Sequence, residues 1–358
     1  MTTRPARFWV GVLLVLAIAL WLVREILLPF VLGMAIGYLL DPLVERLERR
    51  GVSRAAAAAV MVVTAYAIGI AGIVVLAPLL VRQSIDLASN LPAYTRTAYD
   101  ALSPLLHRVL ATSGYAHAGD LAATAAQRVT DVLGPLATRI LGGGLAVVNV
   151  LFLLAITPIV AFYLLRDWPK LVAEIDGWLP RDHADTIRAQ ARAIDAVLAG
   201  FARGTAIVCA TLAVYYAIAL TLVGLESGLA IGLVAGAVSF VPYLGTLGGA
   251  TAAVAVAAFQ FWPQWERVAV VSGIFVVGQL LNDYVLTPNL VGDKVGLHPL
   301  WVLFALLAGG ALLGFVGVVI AVPVAAVIGV LARFAIARYK QSDVYESRRP
   351  GGSDTPTA

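Results

Sequence analysis

The chain has 358 residues, of which 61% are hydrophobic and 13% charged, and its 25 Lys and Arg outnumber its 21 Asp and Glu. Soluble domains average about half apolar and about a quarter charged residues, so this composition excludes a soluble domain and indicates a protein of the lipid bilayer. The charges lie between apolar runs and form no contiguous basic face, which argues against a nucleic-acid partner.

Apolar runs recur along the whole chain and predict an all-α, polytopic membrane helix bundle of about eight spans. The runs cover residues 8–23, 26–40, 55–81, 141–165, 206–224, 228–259, 267–281 and 301–332.

The first two runs are short for a bilayer core of about 30 Å. We interpret them as a retained hairpin rather than a cleaved signal peptide, because a second apolar run follows the first at once. The alternative is one long helix over residues 8–40, kinked at Pro29. That arrangement would bury the Arg24–Glu25 pair in the membrane, at high cost.

Two polar segments divide the chain into four parts. Residues 1–81 hold the first three transmembrane helices, and residues 82–140 are predicted to form an extramembrane, amphipathic helical segment on the outer surface. Residues 141–335 form the transmembrane transport core and include a cytoplasmic amphipathic helix over 180–204. Residues 336–358 are polar and predict a disordered tail.

The distribution of Lys and Arg predicts the topology. Alternating the segments from a cytoplasmic N-terminus places 18 of the 25 basic residues inside and 7 outside. Cytoplasmic loops carry the excess of basic residues, so both termini are expected on the cytoplasmic side.

Two runs are too long and too rich in glycine and proline to be simple spans. Residues 228–259 would make a helix of about 48 Å, and residues 301–332 have the same character. Because freed backbone groups at membrane depth must line a polar cavity or be buried in protein, these breaks predict a transport pathway. The alternative is that the glycines only permit close helix packing. The candidate pathway residues here are Pro242, Gly245, Gly248, Gly249, Gly309, Gly310, Gly314, Gly317 and Pro323.

Polar residues at the end of the 267–281 run complete the candidate pathway. Gln279 and Asp283 are four residues apart and share a helical face with Asn282 beside them. Asp283 is the candidate carrier of a proton or cation, the alternative being a solvated aspartate at a helix end. Arg166 and Asp167 are candidates for a gating salt bridge or, alternatively, for an interfacial anchor. Whether 301–332 crosses once with a kink or folds back as a re-entrant hairpin stays open.

Several stretches in this order resemble the AI-2E family of bacterial transporters. They are "LLPFVLGMAIGYLLDPLVERLERRGVSR", "FYLLRDW", "SFVPYLGTLGG", "LTPNLVGDKVGLHPLWVLF" and "LLGFVGVVIAVPVAAVIGVL". The resemblance covers residues 8–335 and implies a multispanning inner-membrane protein that forms homo-oligomers. It implies export of the quorum-sensing signal autoinducer-2, or exchange of sodium or lithium for protons. The chain departs from the family pattern in having Asn282, Asp283 and Tyr284 before the proline turn, Asn289 after it, and Thr246 where relatives often have proline.

The expected function is therefore secondary transport of a small hydrophilic solute, with a monovalent cation as the rival substrate. The chain has no phosphate-binding loop, no dinucleotide motif and no metal-ligand spacing among its four histidines. We accordingly expect no ATP coupling, enzymatic activity, metal or cofactor. A structural or regulatory membrane protein acting through residues 82–140 is the further alternative.

Overall fold

The computed structural model describes residues 22, 26–78, 81–83, 144–291, 297–342 and 345, with side chains from residue 151 in the fourth range. The first apolar run apart from Leu22, nearly all of the predicted outer segment 82–140, and most of the tail beyond 342 lie outside these residues. The choice between a hairpin and a kinked helix over residues 8–40 lies outside them too.

Across these described ranges the chain is helical and contains no strand, which confirms the predicted all-α fold. In chain order the helices are α1 (Leu27–Glu48), α2 (Arg54–Gln83), α3 (Gly144–Gly177), α4 (Ala184–Leu222), α5 (Gly228–Val238), α6 (Leu244–Gln260), α7 (Trp265–Leu281) and α8 (Pro299–Lys340). A 3₁₀ turn (Arg181–His183) precedes α4, and a π-helix (Asn282–Val291) follows α7.

The helices have the length and surface of membrane spans. Within the described residues, six helical stretches are long and apolar enough to cross a bilayer, while α5 and α6 are shorter apolar helices. Large apolar side chains remain exposed along them, among them Leu222 at 82% and Leu307 at 75%. Apolar patches of this extent are not left open to water, so these faces contact lipid.

The chain divides into two compact units, each with its own buried core. The described residues of unit 1 fall within 1–55, 161–204 and 290–358, and Val197, Ala326 and Val330 pack together in it. Those of unit 2 fall within 56–160 and 205–289, and its most buried large side chains include Leu212 and Tyr216.

The long run 228–259 breaks as predicted, and the break is a reversal of the chain within unit 2. Helix α5 ends at Val238, residues 239–243 turn, and α6 begins at Leu244. A Cβ at Gly245 would lie 2.5 Å from the carbonyl oxygen of Ala235, and one at Gly249 would overlap the Ala235 side chain. The two limbs therefore pack antiparallel; we call α5, the turn and α6 the first hairpin.

Helix α8 also folds back on itself, within unit 1. Gly314 has φ 62° and ψ −140°, which interrupts the helix. A Cβ at Gly309 would lie 2.5 Å from the carbonyl oxygen of Gly317, although eight residues of straight helix would separate them by about 12 Å. Residues 299–313 and 315–340 are thus two antiparallel limbs, the second hairpin, and a single kinked span is excluded.

Helix α4 departs from the predicted division into a surface helix and a span. It runs unbroken for 39 residues, so the predicted amphipathic helix 180–204 and the apolar run 206–224 belong to one helix that begins after the 3₁₀ turn. The Arg188 guanidinium fixes its start by donating to both carboxylate oxygens of Asp176 on α3, at 2.7 and 2.8 Å. At the other end of the chain α8 continues to Lys340, so residues 336–340 of the predicted tail are helical.

Candidate functional site

The first hairpin places its glycines in different surroundings. Gly245 is buried against the α5 limb, and a Cβ at Gly249 would lie 3.1 Å from the Phe275 ring on α7. Gly248 faces open space, with nothing within 4 Å of a Cβ. Pro242 lies in the turn beside Tyr243, which has a left-handed φ of 68°. Close packing therefore explains Gly245 and Gly249, but it does not explain Gly248.

Tyr216 on α4 is a central side chain of the buried core of unit 2. It is fully buried and stacks on Phe275 with a centroid separation of 4.6 Å. A Cβ at Gly278 would lie 2.5 Å from its hydroxyl oxygen, so only glycine fits there. Its stacking partner Phe275 also lies 3.1 Å from where a Cβ at Gly249 of the first hairpin would stand. The break at Pro242 and the polar end of α7 thus approach a single tyrosine.

The Tyr216 hydroxyl is buried without a hydrogen-bond partner among the described residues. An unsatisfied buried hydroxyl costs about 1–3 kcal/mol. Tyr216→Phe is therefore expected to leave the free energy of unfolding unchanged or to raise it by about 1 kcal/mol. Titration with SDS in mixed micelles, followed by circular dichroism, measures this quantity.

Tyr215→Phe is the matched control, because the Tyr215 hydroxyl donates to the Ile274 carbonyl oxygen at 3.1 Å. We expect this substitution to cost about 1 kcal/mol. A larger loss for Tyr216→Phe than for Tyr215→Phe would contradict the unsatisfied state of the Tyr216 hydroxyl.

Asp283 lies at the centre of a polar cluster where α7 passes into the π-helix. Gln279 Nε2 donates to both of its carboxylate oxygens at 2.8 Å, and Asn282 Nδ2 donates to one at 3.2 Å. Thr287 Oγ1 in turn donates to Asn282 Oδ1 at 3.1 Å. No cation pairs with Asp283 in the part of the chain that the structure describes. We call these four residues the Asp283 cluster; its neutral donors satisfy the carboxylate oxygens without neutralising their charge.

The π-helix that carries this cluster has a local cause. Pro288 has no N–H, so the carbonyl four residues earlier, that of Tyr284, cannot receive its α-helical bond. Wider π-type turns relieve this conflict; they are rare in proteins and are frequently found at functional sites. The sequence analysis found the polar residues but not the π-helix.

The second hairpin belongs to unit 1, so the two sets of predicted pathway glycines do not share a unit. Gly309 and Gly317 form its closest contact, and a Cβ at Gly310 would lie 3.2 Å from Val318. Pro323 lies in the second limb and frees the carbonyl of Val319. Packing between the limbs thus accounts for the spacing of these glycines. Gly314 has a different role, because its left-handed backbone conformation lets the chain reverse direction.

Arg166 and Asp167 pair with each other. Arg166 Nε lies 3.0 Å from Asp167 Oδ1, and the guanidinium also lies 4.6 Å from the centroid of the Tyr163 ring. Lys170 Nζ is 3.8 Å from Asp167 Oδ1. All of these partners are on α3, which favours the anchoring role over a gate between helices.

A charged cavity in unit 1 was not predicted. It has a volume of about 320 Å³ and lies among α1, α3 and α4. Its ionisable lining comprises Tyr38, Asp41, Glu45, Arg54, Asp195 and Arg203. We call it the charged cavity. The spacing of Tyr38, Asp41 and Glu45, three and then four residues apart, places them on one helical face and was a signal that the sequence offered.

The two arginines of the charged cavity are held by carbonyls that prolines have freed. Pro169 deprives the Leu165 carbonyl of its helical bond, and Arg54 Nε donates to that oxygen at 2.8 Å. Pro42 does the same to the Tyr38 carbonyl, and Arg203 Nε donates to it at 2.9 Å. Each helix defect is therefore repaired by an arginine that is thereby fixed at the cavity wall.

The terminal nitrogens of the two arginines differ in their partners. Arg54 pairs with Asp41 at 3.0 Å and with Glu48 at 3.1 Å. Arg203 forms no ion pair with any residue that the structure describes. Across the cavity, the Tyr38 hydroxyl donates to Asp195 Oδ1 at 3.1 Å.

Comparison with known proteins gives matches over nearly the whole chain. The family profile described as AI-2E family transporter matches residues 10–336. The candidate transport protein YrrI of Bacillus subtilis (strain 168) is 32% identical over 87% of this chain and 87% of its own. The AI-2 transport protein TqsA of Escherichia coli (strain K12) is 28% identical over 89% of this chain and 88% of its own. The candidate permease PerM of the same strain is 24% identical over 85% of each chain.

Proposed function

The chain belongs to the AI-2E family of membrane transporters, and from that membership we propose that it is a secondary, ATP-independent exporter of a small hydrophilic solute such as autoinducer-2. The observation that carries this proposal is the meeting of the broken first hairpin and the end of α7 at Tyr216. Discontinuous helices beside polar groups at membrane depth are typical of substrate pathways in secondary transporters. The name of TqsA supports autoinducer-2 as the first solute to test.

In the proposed mechanism the first hairpin moves against α7, and Asp283 couples this movement to a proton. While Asp283 is ionised it accepts hydrogen bonds from Gln279 and Asn282, which holds the end of α7 to the π-helix. Protonation removes the charge from this acceptor and weakens both bonds. The second hairpin of unit 1 is proposed as a further gating element, with Gly314 at its reversal.

Exchange of sodium or lithium for protons is the second candidate function, and the Asp283 cluster favours it. The carboxylate of Asp283 and the oxygens of Asn282 and Thr287 are ligands that hard cations prefer. The exchanger and the exporter differ in the species whose movement is coupled to the proton, which is a monovalent cation in the first and the solute in the second.

We propose a bacterial inner-membrane location with both termini in the cytoplasm and assembly into a homo-oligomer. The sequence analysis counted each of the two hairpins as one crossing of the membrane. If each hairpin instead returns to the side from which it entered, the chain makes two crossings fewer, and both termini still lie on the same side. Arg267 then moves outside and Lys294 moves inside. The division of basic residues stays at 18 inside to 7 outside.

Efflux from proteoliposomes loaded with autoinducer-2 tests the proposal. We expect efflux by the native protein to follow an imposed pH gradient. In Asp283→Asn the gradient-dependent rate should fall at least about tenfold, because an amide cannot carry the proton. The variant keeps an acceptor for Gln279, so its folding should be unaffected. Asp185→Asn, an exposed residue of α4, is the matched control.

The outcomes separate the two functions. If autoinducer-2 does not leave the vesicles with or without a gradient, the exporter is excluded. Proton movement driven by sodium or lithium in the same vesicles would then identify the exchanger, provided that it is absent from the Asp283→Asn protein.

A further inference from the structure

We propose that the charged cavity of unit 1 binds a small amphoteric solute that carries one anionic group and two protonated amines, as L-lysine does. The inference goes beyond the proposed function and does not rest on it, because it concerns equilibrium binding at residues that transport of autoinducer-2 does not invoke. It rests on the balance of charges in the cavity, on the fixed position of Arg203, and on the apolar lining and volume of the cavity.

The charges that line the cavity are only partly neutralised by one another. Arg54 is not available to a ligand, because its three nitrogen groups already donate to Leu165, Glu48 and Asp41. What remains at the wall is one cation, Arg203, and two carboxylates, those of Asp195 and Glu45.

Arg203 is prepared to receive an anion. Its Nε is occupied by the Tyr38 carbonyl at 2.9 Å, so the plane of the guanidinium is set before a ligand arrives. The Nη1 and Nη2 groups form no hydrogen bond with the described part of the protein. A guanidinium edge of this kind binds a carboxylate through two parallel hydrogen bonds, and holding it in place beforehand reduces the entropy lost on binding.

Asp195 and Glu45 are suited to protonated amines. Asp195 receives one neutral hydrogen bond, from the Tyr38 hydroxyl at 3.1 Å, and Glu45 has no side-chain partner among the residues described. Neither carboxylate pairs with a cation in those ranges. A purely anionic solute would be repelled by both groups, and a purely cationic one would be repelled by Arg203.

The rest of the wall fits an alkyl chain between such charged groups. Met34, Leu164 and Val172 supply apolar surface, and Trp168 adds an aromatic face. The volume of about 320 Å³ is near the lower end of the range of about 300–1,000 Å³ for ligand sites. The cavity therefore suits a metabolite of amino-acid size rather than a larger ligand.

The test is saturable binding of tritiated L-lysine to the full-length protein in detergent, with unlabelled analogues as competitors. Cadaverine lacks the carboxylate of lysine, 6-aminohexanoate lacks the α-amine, and hexanoate lacks both amines. We expect lysine to compete best, 6-aminohexanoate to compete more weakly, and cadaverine and hexanoate to be weaker by at least about tenfold.

Two conservative variants locate the site. Arg203→Lys keeps the charge and can still donate to the Tyr38 carbonyl, but an ammonium cannot also grip a carboxylate with two parallel bonds, so binding should weaken at least about tenfold. Glu45→Gln changes only the charge of an exposed side chain and should weaken binding by about three- to tenfold. Arg192→Lys and Asp185→Asn, on α4 outside the cavity, are the matched controls and should bind lysine as the native protein does.

Three results would overturn the proposal: no saturable lysine binding to the native protein, equal competition by cadaverine or hexanoate, or equal loss of binding in the control variants. Because binding is read without flux, a failure here leaves the efflux of autoinducer-2 untouched. A failure of efflux likewise leaves lysine binding intact.

Discussion

Gly317→Ala should destabilise the protein by about 3 kcal/mol or more, because the second hairpin has no room for a methyl group at this position. A Cβ there would overlap the Gly309 carbonyl oxygen and lie 2.5 Å from its carbonyl carbon. Both are backbone atoms of the opposing limb, so relief requires the limbs to separate. SDS titration followed by circular dichroism gives the free energy of unfolding.

Two other glycines provide graded controls for this prediction. Gly310→Ala meets only the end of the Val318 side chain at 3.2 Å and should cost about 1 kcal/mol. Gly248→Ala meets nothing within 4 Å and should stabilise its helix by up to about 1 kcal/mol, since alanine is the better helix former. Equal effects at Gly317 and Gly248 would show that the two limbs of α8 do not pack as described.

Arg54→Met is expected to cost about 3 kcal/mol, the other large effect on stability. The substitution removes the donor to the Leu165 carbonyl, which Pro169 has left without a helical bond, and it leaves Asp41 without its cation. Arg54 is 20% exposed and Asp41 34%, so water screens part of the ion pair and the carbonyl contributes the larger share. Arg50→Met is the matched control.

A second substitution separates the carbonyl from the ion pair. Pro169→Ala restores an N–H to α3, so Leu165 regains a helical partner and no longer needs Arg54. In the Pro169→Ala background, Arg54→Met should therefore cost about 1 kcal/mol less than it does alone. Additive effects of the two substitutions would refute the repair of the helix by Arg54.

The sequence contained enough to locate the breaks but not their geometry. Pro242 and Gly245 predict an interruption, because neither supports a helix, and the chain does turn there. The glycines around Gly314 fit a kink or a reversal equally well. The choice depends on contact between limbs, such as that of Gly309 with Gly317, which local propensity does not encode.

The charged cavity was missed for a related reason. Its helical face of Tyr38, Asp41 and Glu45 can be found by spacing alone. The arginines that complete it reach across 111 and 165 residues of chain, and no periodic pattern reports such a pairing. The continuity of α4 was not predicted, because the change in composition near residue 205 is not accompanied by a break in the helix.

The repair of proline defects by arginines also has an evolutionary consequence. Pro42 and Pro169 each free a carbonyl that a distant arginine satisfies, and that arginine has this role only while the proline remains. Selection therefore acts on each proline and its arginine jointly. Pro42 with Arg203, and Pro169 with Arg54, should be inherited as linked pairs, gained and lost together as relatives diverge.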